Sequence, residues 1–465
     1  MRFDGLRVSK QRKRILIQEA LPGISDRPVY QNGSVFKDPA FADNKQLPIH
    51  RWVPWIAGFS AAFVDDVLDF YLNRSCEKTR RQVLDPFAGV GTTLIEAALH
   101  GHDYAGFELN PYAALAARVK LRAARMDLDE LNRTMKGLRQ RARSWDAAPP
   151  STSVPPPNFR SRIPFFSPRV ERQVLHALEF TRNIADQDVA DLFRVAFGAV
   201  MVSFSNYTYE PSLGSRPGAG KPLVNDANVA EVLLAKLDQM REDIRWVQEA
   251  TCGGRELGEG EVHHGDFFSE NRRLLDNSVD LMITSPPYLN NYHYVRNTRP
   301  QMYWLSLLAA PNEQRYLEEQ NFGKFWQTVR GQEPVHLDFE HLDLERFLTR
   351  LRLVRADAGA YGGPGWANYA AAYFKDCHRF VQVLSRVLAH GGVGLVVIGN
   401  SIIQGLEIKT DEILADLATK HGLTTEGIHR NREKRVGASI TQSTVRRGAA
   451  NRSTLYESTV VLRKP

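Results

Sequence analysis

The sequence predicts a doubly wound α/β fold: a mostly parallel sheet with helices on both faces, a C-terminal antiparallel hairpin, and helical insertions. Three stretches carry that prediction. Gln82-Val83-Leu84-Asp85-Pro86-Phe87 is a short strand, and Ala88-Gly89-Val90-Gly91-Thr92-Thr93 turns it into a helix that Gly101 ends. Tyr104-Ala105-Gly106-Phe107-Glu108-Leu109-Asn110 is a second strand, and Pro111 suits the first position of the alanine-rich helix after it. Downstream, the apolar run Val279-Asp280-Leu281-Met282-Ile283 opens into Thr284-Ser285-Pro286-Pro287-Tyr288. Two consecutive prolines have no N–H to give a ladder, so the chain leaves the sheet there.

Composition sets the outer bounds. A chain of 465 residues makes two or three domains, or one large domain with insertions, and 43% hydrophobic with 24% charged residues is ordinary for a soluble globular protein. No apolar run approaches the length that spans a bilayer, and Met1-Arg2-Phe3-Asp4-Gly5-Leu6-Arg7 has no apolar core of a secretory signal. Cys76, Cys252 and Cys377 are far apart, which indicates neither a disulfide framework nor a zinc site, and a reducing cytoplasm fits. A net charge of +7 and a pI near 9.2 permit a polyanionic partner without requiring one.

In chain order, residues 1–47 read as a basic N-terminal arm with Gln11-Arg12-Lys13-Arg14, and 48–145 as the first part of the main domain, with a helix at 61–72. Residues 146–258 open on a Pro/Ser-rich run and continue as a mostly helical insertion. The sheet resumes over 259–295, a second insertion fills 296–370, and 371–465 complete the domain. That last part holds a helix to Leu388, the turn Gly391-Gly392, a strand at 393–400, a helix at 410–421 and strands at 423–429 and 455–462. No internal repeat is found.

A glycine turn between strand and helix lets a ligand approach the backbone at the carboxyl edge of a sheet. Glu108 stands 19 residues after Gly89, at the end of the next strand, where a carboxylate can bond both hydroxyls of a ribose. A dinucleotide or an adenosine fits so far. Leu94 stands where a dinucleotide fingerprint has its third glycine, and Asp85 would repel phosphates but suits the ammonium and sulfonium of S-adenosylmethionine. Asp266, after the third strand, can accept from an adenine amine. The bland reading is a strand–turn–helix with a capping Glu; the three strand ends taken together outweigh it.

In the proline turn, a hydroxyl stands before two stiff carbonyl acceptors and a ring stands after them. The set suits gripping a flat group that carries an exocyclic amine, although alone it would read as a kinked loop with a half-buried tyrosine. Asp85-Pro86-Phe87-Ala88-Gly89-Val90-Gly91-Thr92-Thr93 followed by Thr284-Ser285-Pro286-Pro287-Tyr288 resembles the S-adenosylmethionine-dependent amino-methyltransferases of DNA, which act on cytosine N4 or adenine N6. The likeness covers roughly residues 48–125, 260–295 and 375–465. It implies a Rossmann-like methyltransferase sheet and a cofactor site at Asp85, Pro86, Phe87, Ala88, Gly89, Gly91, Thr92, Thr93, Glu108, Leu109, Asn110, Asp266 and Phe267. It also implies a catalytic turn of Ser285, Pro286, Pro287 and Tyr288. His50-Arg51-Trp52 is similar to the segment that such enzymes set beside the methionine part of the cofactor. A Ser in the second motif is commoner among the cytosine-N4 enzymes.

Such a turn accepts the amine's hydrogens at Ser285 and the Pro286 carbonyl, concentrates the nitrogen lone pair and stacks the base on Tyr288. Flipping the base costs about a few kcal/mol, and base–aromatic stacking returns on the order of 1–3 kcal/mol. Tyr292 and Tyr294 can line the pocket or form a hydrophobic rim that serves only the fold, and Asn290 and Asn291 can read the base edge or simply finish the turn. Arg432, Lys434, Arg435, Arg446 and Arg447 form a candidate phosphate grip, against the alternative of a solvated loop. None of the three cysteines follows a proline, which excludes carbon-5 cytosine chemistry. Double-stranded DNA is the expected partner, with a restriction or defence system possible and no metal or membrane. The alternatives are adenine N6, guanine N2 of RNA (the run from Asp85 to Ala97 resembles those enzymes too), and an inactive cofactor-binding subunit.

Overall fold

The structure is a computed structural model describing residues 36–55, 58, 60–72, 80–209, 213–252, 256–289, 294–435 and 454–465, with the side chains of 41, 42, 434 and 435 outside the description. Seven strands form the main sheet: β1 (Gln82–Asp85), β2 (Asp103–Glu108), β3 (Gly260–His264), β4 (Val279–Thr284), β5 (Leu388–Gly399), β6 (Thr424–Arg435) and β7 (Thr454–Arg463). Their order is β6-β7-β5-β4-β1-β2-β3. The pairs β3–β2, β2–β1, β1–β4 and β4–β5 are parallel, whereas β7 runs antiparallel to both β5 and β6. The Rossmann-like doubly wound sheet and its antiparallel C-terminal hairpin are as expected. From β1 the chain steps outward to β2 and β3, then returns to lay β4 on the other side of β1. The strand order reverses there, and ligands of open α/β sheets bind in the crevice outside such a reversal.

Alternating side chains build a core on each face. Val83, Leu281, Ile283, Leu395 and Val397 face one way, against Phe63, Val64, Val67 and Leu68 of α1 (Ala61–Tyr71) and Leu94 and Ala97 of α2 (Thr92–Leu99). Leu84, Met282, Val396 and Ile398 sit in the opposite core with Phe374, Cys377, Phe380 and Leu384. Gly106 lets α2 lie close on β2, since a Cβ there would stand 2.3 Å from Leu94 Cδ1. The close helix–sheet approach that a third glycine in the loop would permit is thus made by a glycine on the neighbouring strand.

Next comes α3 (Pro111–Leu121), capped by the Asn110 side chain, which accepts from the N–H groups of Tyr112 and Ala113. Four helices follow: α4 (Leu128–Ala142), α5 (Pro168–Arg182), α6 (Gln187–Val200) and α7 (Val229–Thr251). Their apolar faces share one core with Tyr112, Ala113, Ala116 and Val119 of α3, so the helical insertion thickens the layer on α3. Its helices begin before residue 146, because α4 already packs into that core through Leu131, Met135 and Leu138. Asp243 of α7, 1% exposed, accepts from the Ile49 N–H (2.9 Å), the Trp52 indole (2.9 Å) and Arg51 Nη2 (2.6 Å). That one carboxylate ties the insertion to the segment before α1.

After β3 come the single turn α8 (Phe267–Glu270) and, beyond β4, α9 (Tyr294–Trp304), α10 (Pro311–Gln320), α11 (Trp326–Val329), α12 (Leu342–Leu353) and α13 (Gly363–Val387); α14 (Thr410–Lys420) lies between β5 and β6. The expected turn at Gly391-Gly392 lies inside β5, which starts at Leu388; its register with β4 slips between Val279 and Leu281, and the glycines occupy that irregularity. Among the described residues, no helix is long and apolar enough to cross a membrane.

Candidate active site at the strand reversal

The ends of β1, β2, β3 and β4 open onto one cleft of ≈ 740 Å³, counting its mouth. Pro86, Phe87 and Gly89 line it after β1, Phe107, Glu108, Leu109 and Asn110 at β2, Gly265, Asp266 and Phe267 after β3, and Ser285 and Pro287 after β4. Trp55 closes one side with Tyr294 and Val295, and Gln320, Asn321 and Phe322 bound it from the second insertion.

Gly89 has φ +53°, and the Trp55 indole nitrogen lies 3.2 Å from where a side chain on it would begin. The Gly89 N–H donates to Glu108 Oε2 at 2.8 Å and the Asn110 N–H to Oε1 at 2.6 Å. Burial pushes the Glu108 carboxyl up to about 7 against those two bonds. Each oxygen keeps a lone pair for a further donor. Phe107, Phe267, Phe87 and Phe322 meet edge to face along one wall of the cleft.

Asp85 is 3% exposed and does not line the cleft. Its Oδ1 accepts from the Thr284 hydroxyl at 2.6 Å and the Phe87 N–H at 3.1 Å, and burial raises its pKa to about 6. The carboxylate expected to face a cationic ligand instead joins the glycine loop to the proline turn. Ala88, Gly91, Thr92 and Thr93 are likewise buried beneath the loop, with the Thr93 hydroxyl on the Ile283 carbonyl at 3.3 Å. Lys120 supports the loop from below, donating to the Val90 carbonyl at 3.2 Å; burial lowers its ammonium to about 7. Asp266 lines the cleft, but its carboxylate caps α8, accepting from the Phe268 and Ser269 N–H groups and the Ser269 hydroxyl.

In the proline turn, Pro286 is buried, Ser285 and Pro287 reach the cleft, and Tyr288 lies beside it without lining it. The phenol donates to Glu457 Oε2 of β7 at 2.8 Å, and Ser285 Oγ approaches it at 3.5 Å. Burial raises the Tyr288 phenol well above the ordinary range. Arg432 points its guanidinium at the same Glu457 oxygen, 3.0 Å away. The backbones of Lys434 and Arg435 end β6. Asn290, Asn291, Tyr292, Arg446 and Arg447 lie outside the described residues.

Asp65, Glu96 and His100 bring three potential metal-ligand atoms within 4.8 Å, but none lines the cleft, and His100–Asp65 and Glu96–His50 are already hydrogen-bonded. Sequence reasoning missed Gln320, Asn321, Phe322, Lys120, Asp243 and Glu457, each brought to its place by contacts distant in sequence.

No family model matches the chain. Across 92% of its length it is 21% identical to the Type II methyltransferase M.BsoBI of Geobacillus stearothermophilus, covering 87% of that protein. Type II methyltransferase M.AvaI of Nostoc sp. (strain PCC 7120) is 23% identical over 92% of this chain and 88% of its own, and M.MvaI of Kocuria varians 20% identical over 74% and 75%. The solved rRNA methyltransferase aviRa from Streptomyces viridochromogenes overlaps 96% of both chains at 10% identity and a TM-score of 0.26, too loose to bear on fold or function. Along most of its length the chain is thus similar to Type II methyltransferases.

Proposed function

We propose that the protein methylates an exocyclic amine of a base in DNA, cytosine N4 ahead of adenine N6, with S-adenosylmethionine as donor and the base turned out of the duplex. One observation carries the reading: Gly89, Glu108 and Asp266 share a single cleft with Ser285 and Pro287. A donor held at the first group and an amine held at the second need no gate or carrier between them.

The residues fit that cofactor. Glu108 keeps lone pairs for two ribose hydroxyls, the aromatic wall at Phe267 suits a flat heterocycle, and Gly89 and Trp55 line the same cleft, where the amino-acid end would lie. Bound there, S-adenosylmethionine supplies a methyl group on a sulfonium. Ser285 Oγ, which makes a long 3.5 Å contact to the Tyr288 phenol, and the Pro286 carbonyl accept the amine's hydrogens. That draws the nitrogen toward sp³ geometry and concentrates its lone pair. The paired prolines keep both acceptors at fixed positions, so the turn contributes mainly orientation. The Ser of the turn favours cytosine over adenine.

Incubation with labelled S-adenosylmethionine and either duplex DNA or RNA, followed by nucleoside analysis, tests the reading. N4-methylcytosine from DNA is expected. N6-methyladenine would move the target to the runner-up, and label in RNA alone, or nowhere, would overturn the proposal. A restriction partner is part of the same reading, supported by the likeness to Type II methyltransferases, and is tested by co-purification with a nuclease that the methylated DNA resists.

A further inference from the structure

We infer that Glu457 is a positioning residue for the proline turn, holding the Tyr288 ring in place from two strands away. The inference rests on the reading of that turn as the base-handling element. Tyr288 leaves the end of β4, and Glu457 belongs to β7, so the carboxyl end of β5 lies between them. The ring crosses that end at Gly399, the residue directly opposite Glu457 in the β5–β7 register. A Cβ at Gly399 would stand 3.4 Å from Tyr288 Cδ2 and Cε2, so the ring rests on bare backbone there. At the far side its hydroxyl donates to Glu457 Oε2 at 2.8 Å.

Glu457 is itself fixed. It is 8% exposed, and Arg432 of β6 donates to the same oxygen at 3.0 Å, leaving the guanidinium about half exposed. The phenol is therefore directed at an acceptor that is itself bonded by a neighbouring strand. An aromatic ring tethered at both ends presents a fixed edge to whatever occupies the turn, with little rotamer entropy left to lose on binding. Arg432, expected from the sequence to grip phosphate, is engaged by this carboxylate.

The test compares Glu457→Ala, Glu457→Gln and Tyr288→Phe, singly and with Glu457→Ala/Tyr288→Phe, on duplex DNA. Glu457→Ala should lower kcat about tenfold to a hundredfold, because slight misorientation at a reacting centre is costly. Its affinity for S-adenosylhomocysteine should stay within about twofold, and Glu457→Gln, which keeps an acceptor for the phenol, should recover most of the rate. The double variant should be no slower than the worse single, since both remove the same contact. A Glu457→Ala enzyme at the wild-type rate, or losses that multiply, would overturn the inference. A second readout needs no activity: the ring-carbon NMR signal of Tyr288, assigned by its loss in Tyr288→Phe, should move in Glu457→Ala. If wild-type protein transfers nothing to DNA while that signal moves, the contact stands and the functional reading alone fails; an unmoved signal overturns the contact.

Discussion

The Asp85 carboxylate and the Thr284 hydroxyl lie 2.6 Å apart, buried between the carboxyl ends of adjacent strands β1 and β4. The glycine loop and the proline turn start at these two residues, so their relative position is set by one short bond inside the sheet. The bond has a cost. Burial raises the Asp85 pKa from 3.8 to about 6, so the ionised form destabilises the fold at neutral pH. A group raised on folding stabilises fully below its unfolded pKa and loses that contribution as pH rises through the folded value. Asp85→Asn should therefore raise neutral-pH stability by up to about 3 kcal/mol, shrinking to nothing as pH falls toward 4, while slowing methyl transfer. Denaturant melts at a series of pH values check it; a variant less stable than wild type at pH 8 would contradict it.

Glu108 carries the same sign into ligand binding. Its pKa is raised to about 7 by burial, and only the ionised carboxylate accepts from two ribose hydroxyls as well as two backbone N–H groups. Affinity for S-adenosylhomocysteine should weaken as pH falls below that value, about tenfold per unit at most, and Glu108→Gln should bind weakly at every pH. Calorimetry from pH 8.5 to 5.5 on both proteins reads this directly.

Gly106 has no room for a side chain, with Leu94 Cδ1 2.3 Å from its would-be Cβ. Gly106→Ala should cost about 1–3 kcal/mol, and Gly106→Ala/Leu94→Ala should not add the two single losses, because the smaller partner relieves the clash. Thermal or urea unfolding of the three variants decides it.

Asp243 is nearly inaccessible and receives Arg51, the Trp52 indole and the Ile49 N–H. Asp243→Ala leaves these donors facing an apolar core and should destabilise by about 3–5 kcal/mol. Because Trp55 follows on the same segment and overlies Gly89, cofactor affinity should fall as well. Measuring both on Asp243→Asn separates lost charge from lost shape.

The sheet was legible because each strand carries its own apolar pattern and each turn its own Gly or Pro: Gln82–Asp85, Val279–Thr284 and Thr410–Lys420 fall where local patterning puts them. The cleft was legible in part, since Gly89, Glu108, Asp266 and Ser285 each stand at the end of a strand. What patterning cannot reveal is the partner a side chain selects. Asp266 reads equally as an acceptor for a ligand or as the cap of the short helix it opens. Tyr288 announces an aromatic ring, but Glu457 lies 169 residues away and Asp243 192 from Arg51. The roof at Gln320, Asn321 and Phe322 lies in an insertion with no periodic signal tied to the site, and only packing brings it over the cleft.

The central claim is that donor and acceptor amine share one cleft with separate holders. Single-turnover methyl transfer and cofactor binding by Ser285→Ala, measured side by side, test it most directly. Affinity for S-adenosylhomocysteine should be unchanged and transfer to duplex DNA slowed by about a hundredfold. Full-rate transfer by that variant, or loss of cofactor binding in step with rate, would contradict it.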